Sequence, residues 1–294
     1  MSKSRSLACL LAAACGTTLA LAPVTTFAQA TPSTGTDVAP NKKENAEPTK
    51  VEDKDVDMGI ASAIEMVTAV NATKLPLTEW QTAGQACAPD VPATRTFTKS
   101  GDTALLLGVK VSDAIIASYA KDNQTVARTA PVVMKMAQTI GAKQEDLDEA
   151  TKLSEELLKG NVLGVVFKLN ELAIMVQIRL EEGTEEEKGL GNLMAIAAYF
   201  QGLRTTATAL STEANYTAER SKVFRQANTL KGISKRIESL PADLKKLPTV
   251  VLITEQITAL NDIMTGKKDK DATFTRDEVL KIKAATDKIV TAIK

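Results

Sequence analysis

A multi-helix bundle behind a cleavable leader is the architecture this 294-residue chain predicts. Three observations point to it. Beyond about residue 54, apolar residues recur at steps of three and four, and alternating runs of strand type are scarce. Aromatic residues make up only 3% of the chain, poor material for a β-sandwich. Ala, Leu, Lys, Glu and Met carry the pattern, and all five are good helix formers. The expectation is one all-α domain over residues 54–294, a single bundle of about eight or nine antiparallel helices. A signal peptide (1–30) and a disordered linker (31–53) precede it.

The leader begins with a short basic region, Lys3 and Arg5, followed by an apolar stretch from Leu7 to about Val24. Ala28-Gln29-Ala30 then supplies the small-residue pattern at which signal peptidase cuts, so cleavage is expected between Ala30 and Thr31. Gly16, Thr17, Thr18 and Pro23 interrupt the apolar run, which argues against a membrane anchor. Lipidation at Cys15 fits poorly. Ala12 stands where a large aliphatic residue is usual, and apolar residues continue past the cysteine to Val24. The expected location is periplasmic or secreted, with no transmembrane span in the mature chain. Residues 31–53 are rich in Pro, Lys, Glu, Thr and Asn, with Val38 and Val51 their only large apolar residues. Such a segment buries too little to offset its ordering entropy.

Cleavage removes Lys3 and Arg5 but no acid, leaving 34 basic residues against 36 acidic ones. A near-neutral whole-chain charge offers no footprint for nucleic acid. Cys9 and Cys15 leave with the leader, so Cys87 is the sole remaining thiol and no intramolecular disulfide can form. The fold must rest on its apolar core.

Helices are expected at about 54–72, 102–121, 124–140, 144–159, 161–182, 185–212, 217–238, 242–265 and 276–293. Gly141 and Gly160 follow apolar-periodic stretches, where glycine accepts a left-handed end conformation. Thr184 with Glu187, and Thr275 with Glu278, have capping-box spacing. Pro131 should kink or divide the third helix. Val250, Ile253, Ile257, Leu260 and Met264 form one apolar stripe. The 161–182 segment is apolar on two faces and reads as the central core helix, although Lys168, Glu171 and Arg179 make it a poor membrane span.

Residues 73–101 show no sustained helical period. They contain Trp80, Cys87, Pro76, Pro89 and Pro92. Long loops of this kind are usually functional or disordered. Trp80 either plugs a gap between helix ends or, together with Cys87, marks a partner-binding loop. Cys87 is a spectator thiol or, alternatively, the source of an intermolecular disulfide.

Catalytic signatures are scarce. The chain holds no histidine, which removes Ser-His and Cys-His nucleophile systems, His-ligated zinc and histidine-bound haem. Phosphate-binding, nucleophile-elbow, C-x-x-C and dinucleotide patterns do not occur. The loop Lys267-Lys268-Asp269-Lys270-Asp271 suggests calcium, but Thr273, Phe274 and Leu280 stand where an EF-hand needs a ligand, glycine and glutamate. No metal or cofactor is therefore expected. The acids at 145–149 and 185–187 fit first helical turns, where the helix dipole favours them.

Asp113, on the flank of the 102–121 helix, and Arg204, on the core side of the 185–212 helix, stand out. Gly108 and Ser112 would let a neighbouring helix approach the first of these closely. A buried charge is expensive unless paired. The two residues either form a structural ion pair, reach water separately, or line a polar ligand site.

Function is thus expected in one of two classes. The first is an exported non-catalytic helical scaffold or binding protein of the bacterial periplasm or cell envelope, with a protein or envelope component as partner. The alternative is a histidine-free carboxylate-dependent hydrolase acting on envelope glycans.

Overall fold

The computed structural model describes residues 70–92, 94–145, 147, 148, 152, 162–265, 267 and 272–293. The leader, the 31–53 segment, nearly all of the 54–72 helix, most of the 144–159 helix, Gly160 and most of the 267–271 loop lie outside the described residues.

Ten α-helices and one 3₁₀ turn pack together, with no strand among the described residues. In chain order they are α1 (Leu77–Cys87), α2 (Gly101–Tyr119), α3 (Asn123–Ile140), α4 (Val162–Glu181) and α5 (Glu185–Leu210). There follow α6 (Ala218–Ser221), the 3₁₀ turn (Lys222–Phe224), α7 (Ala227–Glu238), α8 (Ala242–Lys245), α9 (Pro248–Thr265) and α10 (Arg276–Ala292). The all-α expectation holds, and the helix ends explain why. Ser100 and Asp122 accept hydrogen bonds from the backbone amides of Thr103 and Thr125 and so start α2 and α3. Thr184/Glu187 and Thr275/Glu278 form complete capping boxes. Gly141 ends α3 at φ 127°, a conformation L side chains rarely adopt.

Three elements differ from expectation. Residues 77–87 form α1 where a loop was expected. Its small residues (Thr, Ala, Gly) mute the apolar period, and the prolines beside it mark helix boundaries: Pro76 is the N-cap and Pro89 follows the end. The 217–238 region breaks at Lys222–Phe224, where the chain turns to bury Phe224 edge-on against Phe274. The 242–265 region breaks before Pro248, because a residue preceding proline is pushed out of the helical region and proline suits a first helical position. The helix expected at 124–140 is present as α3, with Pro131 inside it, and of the two alternatives it is not divided there.

The centre of the bundle also lies elsewhere than expected. α2 is buried on every side from Thr103 to Ser118, and α5 almost continuously from Gly189 to Leu210. Among the described residues these two helices make the most extensive contact, with α3, α4, α1 and α10 laid around them. In α4, Leu172, Ala173, Val176 and Leu180 face inward, but Ile174 is 37% exposed. α4 is therefore a flanking helix. In α2 even the polar residues Lys110, Ser112, Asp113 and Ser118 are buried. As expected, the stripe Val250, Ile253, Ile257, Leu260 and Met264 is the inner face of α9.

Gly108 permits the central contact. A Cβ built there would lie 2.0 Å from the carbonyl oxygen of Met194 on α5 and 3.0 Å from the Ala198 amide nitrogen. Backbone cannot yield as a flexible side chain does, so the small residue expected to admit a close neighbour does so here. At Gly84 of α1, the same Cβ would meet only Ile116 Cγ2, at 3.7 Å, an ordinary contact. Gly108→Ala is therefore expected to cost more than about 2 kcal/mol, in the range of overpacked cores. Gly84→Ala is expected to be neutral or to stabilise by up to about 1 kcal/mol through helix propensity. Urea unfolding of the two variants checks both; equal effects would contradict the close crossing.

A buried polar seam as candidate functional site

Where α1 ends, its last carbonyls face the α2–α5 interface and have no helical donors left. Side chains from the two central helices supply them. Arg204 Nη1 donates to the Cys87 carbonyl at 2.7 Å, and Gln201 Nε2 donates to the same oxygen at 3.3 Å. Lys110 Nζ donates to the Pro89 carbonyl. Cationic donors at a helix C-terminus also meet the negative end of its dipole.

The charges are balanced by two carboxylates. Lys110 Nζ lies 3.1 Å from Asp113 Oδ2, with side-chain exposures of 6% and 2%. Gln201 Nε2 donates to the other oxygen, Asp113 Oδ1. Arg204 Nε lies 2.6 Å from Asp287 Oδ1 on α10, and Lys283 Nζ reaches Asp287 Oδ2 at 2.5 Å. The groups form one seam, deepest at Asp113 and half-open to solvent at Lys283 and Asp287. Gln201 is held in one orientation because both acceptors it meets need N–H donors, which leaves its Oε1 buried without a hydrogen-bond partner. Burial pushes the Asp113 carboxyl above its ordinary pKa, with Lys110 and Gln201 pulling back. On Asp287, burial also acts upward, but hydrogen bonds from Lys283 and Arg204 outweigh it and hold the carboxyl below its usual range.

Asp113 and Arg204 are thus brought into one network, as the expense of burying charge suggests, but not as the direct pair anticipated. Asp113 takes Lys110 and Arg204 takes Asp287; the Cys87 carbonyl and Gln201 lie between them. The reason is distance along the helices. Lys110 stands one turn before Asp113 on the same helix and needs no tertiary accident to reach it. Lys110 and Gln201 were available to sequence reasoning as neighbours three residues from Asp113 and Arg204. Asp287 was not, because no local pattern says that α10 lies against α5.

Trp80 and Cys87 do not form an exposed partner-binding loop. Both sit on the inner face of α1 and are buried, Trp80 completely. A helix presenting one large aromatic to the core explains Trp80 better than a display surface does, although its Nε1 has no hydrogen-bond partner. The Cys87 thiol donates to Thr208 Oγ1 at 3.3 Å, and burial pushes its pKa up. A buried, protonated thiol is a poor nucleophile and poorly placed for an intermolecular disulfide. Ala30 and Thr31 lie outside the described residues.

Among the described residues, no group of three or more His, Cys, Asp or Glu side chains is placed to hold a metal ion. No described helix is long and apolar enough to cross a membrane. No protein-family model, curated protein or solved structure matches the chain.

The seam makes the pairing testable by double-mutant cycles. Asp113→Ala strands Lys110 and is expected to cost about 3 kcal/mol, within the range for broken buried pairs. The Lys110→Ala/Asp113→Ala cycle should be strongly non-additive. The Arg204→Ala/Asp287→Ala cycle should also couple, but less, because Asp287 is partly solvated. The Asp113→Ala/Arg204→Ala cycle should couple least; if it couples most, the assignment of partners is wrong.

Acid adds a second check. The stability Asp287 contributes is present above the ordinary aspartate pKa of about 3.9 and is lost as pH falls through its lowered folded value. Asp287→Asn should therefore flatten the decline of stability in acid. An unchanged acid limb would contradict the Arg204 and Lys283 contacts.

Proposed function

We propose that this chain is an exported, non-catalytic helical scaffold or binding protein of the bacterial periplasm or cell envelope. The basic start, apolar run and Ala28-Gln29-Ala30 support export. The observation that carries the non-catalytic reading is the closure of the polar seam. Its deepest carboxylate, Asp113, has a side chain 2% exposed, with Lys110 on one oxygen and Gln201 on the other. Groups committed to each other and to the end of α1 hold helices together.

One observation favours the hydrolase alternative. The pKa values of Asp113 and Asp287 are pushed in opposite directions, the pattern of an acid and base working together. Access argues against it, since a glycosidic oxygen cannot reach a carboxyl lodged between two central helices. Sugar-cleaving sites also favour aromatic platforms, and this chain's single Trp is buried.

Fractionation of the producing cells with N-terminal sequencing tests export. The expected product begins at Thr31 and is found in the periplasm or medium. An intact leader in that fraction, or a lipid on Cys15, would overturn it. Incubation of the mature protein with peptidoglycan is expected to release no soluble saccharide; release abolished by Asp113→Asn would establish the alternative.

A further inference from the structure

Whole-chain neutrality conceals a segregation of charge. Between Arg220 and Lys246 stand eight basic residues (Arg220, Lys222, Arg225, Lys231, Lys235, Arg236, Lys245 and Lys246) against two acids, Glu238 and Asp243. From Arg220 to Ile237 there is no acid at all. The segment carries a net charge of +6 within a mature chain of −2.

The fold turns this run into a surface. α7 buries Leu230, Ile233 and Ile237, and packs against α9. The period that sends those three inward sends Lys231 and Lys235 outward, one turn apart, and Arg225 is exposed just ahead of the helix. Not every base belongs to this surface. Arg220, Lys222 and Arg236 are only partly exposed, turned toward the carbonyls of Thr73 and Asn215, toward Glu219 and toward Asn192. Arg225, Lys231 and Lys235 are exposed, Arg225 also donating through Nε to the Lys222 carbonyl at 3.4 Å, and the exposed Glu238 is the one acid of the helix.

We propose that the outer face of α7, with Arg225, Lys231 and Lys235, is a docking surface for anionic phospholipid headgroups. Charge complementarity is the basis. Each Lys or Arg brought to an anionic membrane surface strengthens binding about fivefold. The apolar side of α7 is already used by the core, so the helix rests on the headgroup layer without inserting, and binding is reversed by salt. Single-stranded nucleic acid fits less well, because its binders offer aromatic platforms for bases. The one aromatic residue in this segment, Phe224, is fully buried. The proposal draws its physiological setting from the export reading, but the chemistry does not depend on it.

The test is sedimentation of the mature chain with vesicles of phosphatidylglycerol mixed with phosphatidylcholine, and with phosphatidylcholine alone. Binding is expected to the anionic vesicles only, and to disappear at high salt. Lys231→Gln/Lys235→Gln should weaken it about 25-fold, from the fivefold per charge above. Lys281→Gln/Lys288→Gln, an equal change of charge at exposed positions of α10, should leave it nearly intact. Three results would overturn the proposal. The first is no preference for anionic vesicles, and the second is equal weakening by both pairs, which would make binding a matter of net charge. The third is binding of a short DNA duplex, dependent on Lys231 and Lys235, without vesicle binding. A failed export test with vesicle binding intact would remove the setting and leave the surface standing.

Discussion

The backbone contact of α2 with α5 at Gly108 is the constraint on which the rest of the structure depends. A missing Cβ lets the two longest-buried helices touch main chain to main chain at Met194 and Ala198. That closeness brings Asp113 within reach of Gln201 and gives the Cys87 carbonyl donors from α5. Were the helices held a methyl group further apart, Asp113 would lose a hydrogen bond while remaining buried. An under-satisfied buried carboxylate is among the costlier defects a core can carry. Close packing and polar satisfaction are here one geometric condition.

The arrangement also accounts for how a short, weakly apolar helix stays docked. α1 offers the core little besides Trp80, Ala83 and Cys87. The chain around it is held from several elements through its own carbonyls: Thr73 by Arg220, Cys87 by Arg204 and Gln201, Pro89 by Lys110, Arg95 by Lys135. Asn215 adds a side-chain contact to Glu79 at 2.7 Å. A segment deficient in apolar area is thus fixed by donors that would otherwise need partners of their own. Each such bond contributes modestly in net terms, but each donor left unmet in the interior would be expensive. α1 and the seam therefore stabilise one another.

What could be read from residue order divides along one physical line. Features that close within about four residues were legible: the capping boxes at Thr184 and Thr275, the terminal glycine 141, and the stripe from Val250 to Met264. Features decided by which helices meet were not. The polar residues of α2 gave no sign that it is buried all round, and only the facing α5 side chains make that side dry. α4 looked central because its hydropathy is high on two sides, yet Ile174 shows that its described part is covered on one. α1 was hidden by small residues whose helical preference is local but whose burial is tertiary. The expense of isolated charge correctly singled out Asp113 and Arg204 as residues needing partners, and Lys110 stands within one turn of Asp113. That Gln201 joins that pair and that Asp287 takes Arg204, however, depends on packing that no spacing encodes.

Native-state hydrogen exchange tests the centrality of the α2–α5 contact most directly. If these helices and the seam between them organise the bundle, amides in α2 from Leu105 to Ile116 and in α5 from Leu193 to Ala207 will exchange only through global unfolding. Those of α4 and α7 will open at lower free energy. The contrary result is α4 amides exchanging as slowly as the global unfolding limit while α2 opens first. That would place the core where hydropathy alone puts it, and would contradict an interior organised by Gly108 and the charged residues beside it.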